Sequence, residues 1–240
     1  MHTASHTTAS QTYVTRRGEL ETYFDRTAVE AWSRLTSDAP VSRIRATVRA
    51  GRDRMRGTLL SWLPLDLRGA RLLDAGCGTG ALAVEAARRG AHVVAIDVAP
   101  TLIQLARERM PANLDAGRID FRVGDMLDPT LGTFDHVVAM DSLIHYNAAD
   151  CVATLYTLAA RTGGSILFTF APRTPALALM HAVGRMFPRK ERAPAIQPVA
   201  DTDLAKRIAR EPNLSGWKCG RTERVASGFY TSQAMELRRR

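Results

Sequence analysis

A chain of 240 residues, 45% hydrophobic and 24% charged, is long enough for one domain with a substantial core, and its composition is not that of a disordered protein. No stretch approaches the roughly 18 apolar residues of a membrane helix, and the opening MHTASHTTASQTYVTRR lacks the apolar centre of a signal peptide, so a cytoplasmic protein is expected. Thirty arginines and three lysines against 24 acids leave a formal charge of +9, with arginines gathered in 43–56, 185–192 and 238–240. That balance suits acidic partners, whether nucleic acid, an anionic membrane or a carboxylated or phosphorylated substrate, and equally a basic solvated surface. Cys77, Cys151 and Cys219 are odd in number and widely spaced, which fits neither a disulfide framework nor a metal site.

In chain order, residues 1–18 read as a disordered tail and 19–64 as a helical arm. A first helix is expected over 19–36, with Leu20, Phe24, Ala28 and Ala31 at helical spacing, broken at SDAP. A second runs from Val41 to Leu63, with Ile44, Val48, Met55, Leu59 and Trp62 on one face and Arg45, Arg49, Arg52 and Arg56 as a stripe beside it. Gly51 lies between its halves, where it weakens or bends the helix. Residues 65–240 then alternate. Strands are expected at 70–75, 91–97, 119–125, 134–141 and 164–171, with helices near 80–89, 100–110 and 148–161 between them. This order predicts a parallel sheet covered by helices, with ligands outside the carboxyl ends of the strands. A Pro-rich insertion (172–200), a helix near 201–210 and two strands around Ala226–Ser227–Gly228 follow, a late hairpin foreign to dinucleotide dehydrogenases.

The first strand runs into LLDAGCGTG. A dinucleotide fold uses G-x-G-x-x-G to rest a pyrophosphate on a helix N-terminus, whereas Gly76, Gly78 and Gly80 alternate. Such a loop lets the backbone pass close under a ligand. Asp74 can accept from an ammonium or from loop amides. Asp97, at the end of the second strand and followed by Val98, can receive both hydroxyls of a ribose. Asp125 and Met126, after the third strand, supply an acceptor and an apolar wall for an adenine. These parts describe a site for S-adenosylmethionine and do not favour NAD. Cys77 belongs to the cofactor shell only, and Asp141 either meets the amino-acid end of the cofactor or caps the next turn. His92 and His136 fall in strands and read as structural.

With LLDAGCGTG, VVAIDVA, VGDML and FDHVVAMD in place, residues 70–171 resemble a class I S-adenosylmethionine-dependent methyltransferase. The pair YFDRTAVEAW and MDSLIHY, together with FAPRTP, narrows the resemblance, over most of residues 21–240, to the magnesium protoporphyrin IX O-methyltransferases of chlorophyll and bacteriochlorophyll synthesis. The resemblance implies a Rossmann-like α/β fold with a seven-stranded, mostly parallel sheet and a late antiparallel hairpin. It also implies methyl transfer to the ring C propionate, at position 13, and the large magnesium chelatase subunit as a partner. A propionate is ionised at neutral pH, so no strong base is required. The site must desolvate the carboxylate and hold one oxygen in line with the departing sulfur. His145, between the fourth strand and a helix that Asn147 can cap, is the first candidate for that positioning. Tyr23, on the arm, is implied by the resemblance to close over cofactor and substrate. Arg45, Arg49 and Arg52 could guard the propionates, or contact anionic lipid or the chelatase subunit. Axial ligation of the substrate magnesium by His181 has no support in the sequence. Two rival functions compete with this one. An RNA methyltransferase would suit the charge, but DSLI stands where nucleobase N-methyltransferases often carry [ND]-P-P-[YF], and no aromatic platform accompanies the basic residues, so no nucleic-acid partner is expected. A non-catalytic porphyrin carrier would not need the complete cofactor motifs.

Overall fold

The computed structural model describes residues 10–27, 43–173 and 195–240. Its helices are α1 (Gln11–Thr22), α2 (Arg43–Ser61), α3 (Ala81–Arg88), α4 (Pro100–Glu108), α5 (Ala148–Ala159) and α6 (Asp201–Arg210). Its strands are β1 (Arg71–Ala75), β2 (His92–Asp97), β3 (Arg118–Val123), β4 (Phe134–Ala139), β5 (Thr162–Phe170), β6 (Trp217–Ser227) and β7 (Tyr230–Arg239). They form one sheet in the order β3-β2-β1-β4-β5-β7-β6. The pairs from β3 to β5 are parallel, and those of β7 with β5 and β6 antiparallel, so the expected fold class is the one observed.

Alternation along each strand divides the core. Leu73, Val94, Val137 and Phe168 pack with Leu155 and Leu158 of α5 and Leu204 and Ile208 of α6. Their neighbours Leu72, Val93, Val138 and Leu167 face the other way, onto Met55 and Leu59 of α2 and Leu82 and Ala86 of α3. Strands buried on both faces must be apolar nearly throughout, which is why they were legible as short apolar runs. β1 lies between β2 and β4, so the chain changes direction across the sheet there, and the carboxyl ends of these strands are where an open α/β sheet places its ligand crevice.

Two expectations are corrected. Residues 10–18 are not a disordered tail. Ser10 caps α1 by accepting from the Tyr13 amide, and Tyr13 is buried at 3% exposure. The Ser-x-x-Tyr cap was readable, but the polar sequence around it has no apolar periodicity to mark a helix; its docking partners are 108 to 140 residues away. The first helix therefore starts at 11 and ends at 22, passing into a π-helical turn, Tyr23–Thr27. Ala28, Ala31, the SDAP break, His181 and most of the insertion lie outside the described residues. Gly51 does not interrupt α2, which is continuous. A Cβ at Gly51 would overlap the Tyr230 ring, so the glycine is there to let α2 approach β7.

Candidate active site

The crevice holds a cavity of about 310 Å³ that touches the glycine loop, the ends of β2 and β4, the arm and β7. Gly76, Gly78 and Gly80 have φ of 81°, 54° and 78°, left-handed values that L side chains rarely adopt. Gly76 and Cys77 both donate their amides to the Ile96 carbonyl (2.8 and 3.0 Å), tying the loop to β2. A Cβ on Gly76 would overlap Ser142, so the loops after β1 and β4 touch there. The Gly78 amide donates to Asp97 Oδ2 (2.8 Å) and the Ala99 amide to Oδ1 (3.0 Å). Asp97 is thus aimed by backbone amides, that of Val98 included, and its acceptor capacity is not exhausted by them. Burial raises its pKa, and these amides oppose the rise.

Asp74 does not line the cavity. It stands behind the loop at 1% exposure, with Oδ2 lacking a hydrogen-bond partner among the described residues. Burial, reinforced by the Asp97 charge and opposed by the Ala83 amide, pushes its pKa up to about 7. Cys77 and Gly80 also lie outside the cavity lining, and burial raises the Cys77 thiol well above its ordinary range, which suits no nucleophilic role. Gly80 instead packs on Phe121 at the start of α3.

Val98, Met126 and Asp97 line the cavity together. Asp125 is not in the lining, although its chain neighbours Gly124 and Met126 are, and its carboxylate is gripped by the Tyr13 hydroxyl (2.7 Å) and the Arg17 guanidinium (2.5 Å) of α1.

Across the cavity the arm supplies Tyr23 and Phe24. Both belong to the π turn that follows α1, and both line the cavity. Asp25 pins this turn to α4 by accepting from the Thr101 amide (3.1 Å) and hydroxyl (2.5 Å). The Tyr23 ring meets Phe24 edge-on at 5.1 Å, and burial raises its phenol, keeping it a neutral donor. Phe24 in turn packs edge-on against His145 at 6.1 Å. His145 ends a short 3-10 turn, Leu143–His145, two residues before Asn147, which caps α5 through the Asp150 amide (2.9 Å). It is 8% exposed and lines the cavity, as expected.

Asp141 also lines the cavity, at φ 54°, a left-handed value for a non-glycine residue. It caps no turn; its carboxylate receives Arg52 (2.7 Å), the Tyr230 hydroxyl (3.0 Å), Ser232 (3.2 Å) and Thr169 (3.3 Å). Arg52 lines the cavity, whereas Arg45 and Arg49, further toward the start of α2, do not. Tyr230 and Ser232 were missed in the sequence. They come from β7, about 90 residues beyond Asp141, and no local pattern distinguishes them from other strand residues. His92 and His136 are structural, paired with Arg118 (2.9 Å) and Ser165 (2.9 Å). Among the described residues there is no group of side chains fit to hold a metal ion, and no helix long and apolar enough to cross a membrane.

Comparison with known proteins agrees with this geometry. Residues 139–239 match the family model of the magnesium-protoporphyrin IX methyltransferase C-terminus, and 72–163 a general methyltransferase domain. The chain is 50% identical over 227 residues to magnesium-protoporphyrin O-methyltransferase of Rhodobacter capsulatus, covering 94% of this chain and 98% of that one. It is 30% identical to the chloroplastic magnesium protoporphyrin IX methyltransferase of Arabidopsis thaliana, covering 89% of this chain and 68% of that one. Among solved structures, magnesium protoporphyrin IX methyltransferase from Synechocystis with bound S-adenosylhomocysteine superposes with a TM-score of 0.81 at 26% identity, over 93% of this chain and 99% of that one.

Proposed function

The chain belongs to the magnesium-protoporphyrin O-methyltransferase family of class I methyltransferases, and from that premise we propose that it esterifies the position-13 propionate of magnesium protoporphyrin IX. The co-substrate is S-adenosylmethionine. The observation that carries the reading is the cavity's two unlike ends. One has the left-handed Gly76 and Gly78 and the amide-aimed carboxylate of Asp97, with Asp74 buried outside the lining. The other is walled by Phe24, Ile144 and Phe229, with Tyr23 and His145 as polar points. The first end fits a ribose-bearing cation. The second fits a flat apolar substrate with a carboxylate at its edge.

When bound, S-adenosylmethionine supplies an electrophilic methyl on a positively charged sulfur. The protein's residues hold the parts. Gly76 and Gly78 allow close approach, Asp97 accepts the ribose hydroxyls, Val98 and Met126 flank the adenine, and Asp125 accepts its amino group. Asp74 lies at the cationic end behind the loop. The substrate carboxylate is already anionic, so the remaining task is to exclude water and fix one oxygen. Phe24 and Leu20 exclude water, being packed over the cavity from the arm. His145 and Tyr23 donate to the carboxylate oxygen that does not attack, since a donor on the attacking oxygen would lower its nucleophilicity. Arg52, held by Asp141, faces the cavity and meets a substrate carboxylate, while Arg45 and Arg49 form an outer basic rim for propionate, anionic lipid or the large chelatase subunit.

The test is methyl transfer from labelled S-adenosylmethionine to magnesium protoporphyrin IX, metal-free protoporphyrin and bulk RNA, with the product read by mass. A monomethyl ester formed preferentially on the magnesium porphyrin is expected. Label in RNA, or in no porphyrin, overturns the substrate assignment.

A further inference from the structure

One face of the arm runs the length of the site. Tyr13, Arg17, Leu20 and Phe24 recur at helical spacing, and where Leu20 and Phe24 line the cavity, Tyr13 and Arg17 converge on Asp125. The accounting at that carboxylate is informative. Oδ1 accepts from the Tyr13 hydroxyl (2.7 Å) and the Leu127 amide (2.9 Å); Oδ2 accepts from Arg17 (2.5 Å). A carboxylate has about four lone-pair sites. Three donors among the described residues leave one, on Oδ2, for an incoming N–H.

Both grips are built to last. Tyr13 is 3% exposed and stacks on Tyr146 (centroids 4.9 Å apart, 18° between planes), and burial followed by the neighbouring Tyr146 and Asp125 raises its phenol, so it stays a donor. Arg17 is charged at all working pH and faces a carboxylate only 17% exposed. The start of α1 has a separate anchor, on Asp150, which accepts from Ser10 (2.5 Å) and Thr12 (2.8 Å), whereas Asp125 stands in the chain between Gly124 and Met126, both of which line the cavity. Fastening the helix therefore does not require the Asp125 contacts. Their geometry suits another purpose, which is to fix the rotamer and charge of one carboxylate beside a ligand cavity.

We propose that Tyr13 and Arg17 are positioning residues of the cofactor site, which hold the Asp125 carboxylate with its last lone pair toward the adenine amino group. This rests on the reading that Asp125 accepts from that group. The consequence is that recognition of the adenine depends on α1 being docked.

The experiment compares, by calorimetry on the full chain, the affinity for S-adenosylhomocysteine with that for its analogue lacking the 6-amino group. Wild-type protein is expected to prefer the amino-bearing ligand about tenfold, the worth of one hydrogen bond to a charged group. Tyr13→Phe, which keeps the Tyr146 stack, should reduce that preference, Arg17→Ala should nearly abolish it, and Arg17→Lys should restore part of it. Thr12→Val, which weakens only the Asp150 anchor, should change affinity for both ligands alike. Tyr13 and Arg17 variants that also weaken both ligands alike, or that keep the full preference, would overturn the proposal and leave Asp125 as the adenine acceptor. A wild-type protein without preference would overturn the Asp125 reading itself, and the proposal with it.

Discussion

At Asp74, one side chain couples stability to ligand binding. A carboxyl raised to about 7 in the folded chain, against ~3.9 unfolded, binds more protons folded than unfolded between those values. The stability of the ligand-free protein should therefore fall as pH rises from ~4 to ~7 and level off above. Asp74→Asn removes the penalty, so its melting temperature relative to wild type should be higher at pH 8 than at pH 4, read by thermal unfolding at both. A cationic ligand favours the ionised form, so S-adenosylmethionine affinity should rise from pH 6 to pH 8 in wild type and lose this dependence in Asp74→Asn. His145→Ala should lower kcat by about a hundredfold, the cost of a misplaced reacting group, with little change in S-adenosylhomocysteine affinity by calorimetry. Tyr23→Phe keeps the ring against Phe24 and should cost only about threefold to tenfold in kcat, the worth of one hydrogen bond. These two residues were legible because a short motif carries each. Tyr230 and Ser232 were not, because their relation to Asp141 exists only across the sheet.

Among the elements, the contact of α2 with the β6–β7 hairpin deserves the sharpest test. Replacing a helix-interior glycine with alanine ordinarily stabilises by about 1 kcal/mol. At Gly51 the new methyl would overlap the Tyr230 ring, and Tyr230 and Arg52 share Asp141. Gly51→Ala should therefore destabilise by about 1–3 kcal/mol, the range for overpacking. It should also raise KM, because Arg52 and Tyr230 are displaced together; denaturant unfolding and steady-state kinetics check the two effects. The expected elements after residue 65 stand close to where they form, since the central strands are apolar runs and α5 starts at a readable cap, Asn147. The π turn at Tyr23–Thr27 was not foreseen. A one-residue widening leaves the apolar spacing nearly intact and changes only which side chains face the cavity.

For the molecule as a whole, the +9 charge acts through distribution. Exposed charges are screened over roughly 8–10 Å at physiological salt, while Arg52 is only 22% exposed and paired with a buried acid. Raising the ionic strength should therefore increase KM for the anionic porphyrin through the outer arginines and leave the affinity for S-adenosylhomocysteine nearly unchanged, a contrast that kinetics and calorimetry at two salt concentrations will show.

The fold class, the cofactor type and the placement of Asp97, Met126 and His145 were determined by the sequence alone, because strand burial and the glycine loop are local constraints that leave short-range patterns. Tertiary structure decided the rest. It turned residues 10–18 from an expected tail into a docked helix, brought Arg52 and Tyr230 onto one acceptor, Asp141, and set Arg45 and Arg49 apart from the cavity. Each of these depends on groups that meet only when the sheet brings chain segments together, and a hydrogen bond spanning 112 residues, such as Tyr13 to Asp125, has no signature in the residues on either side of it.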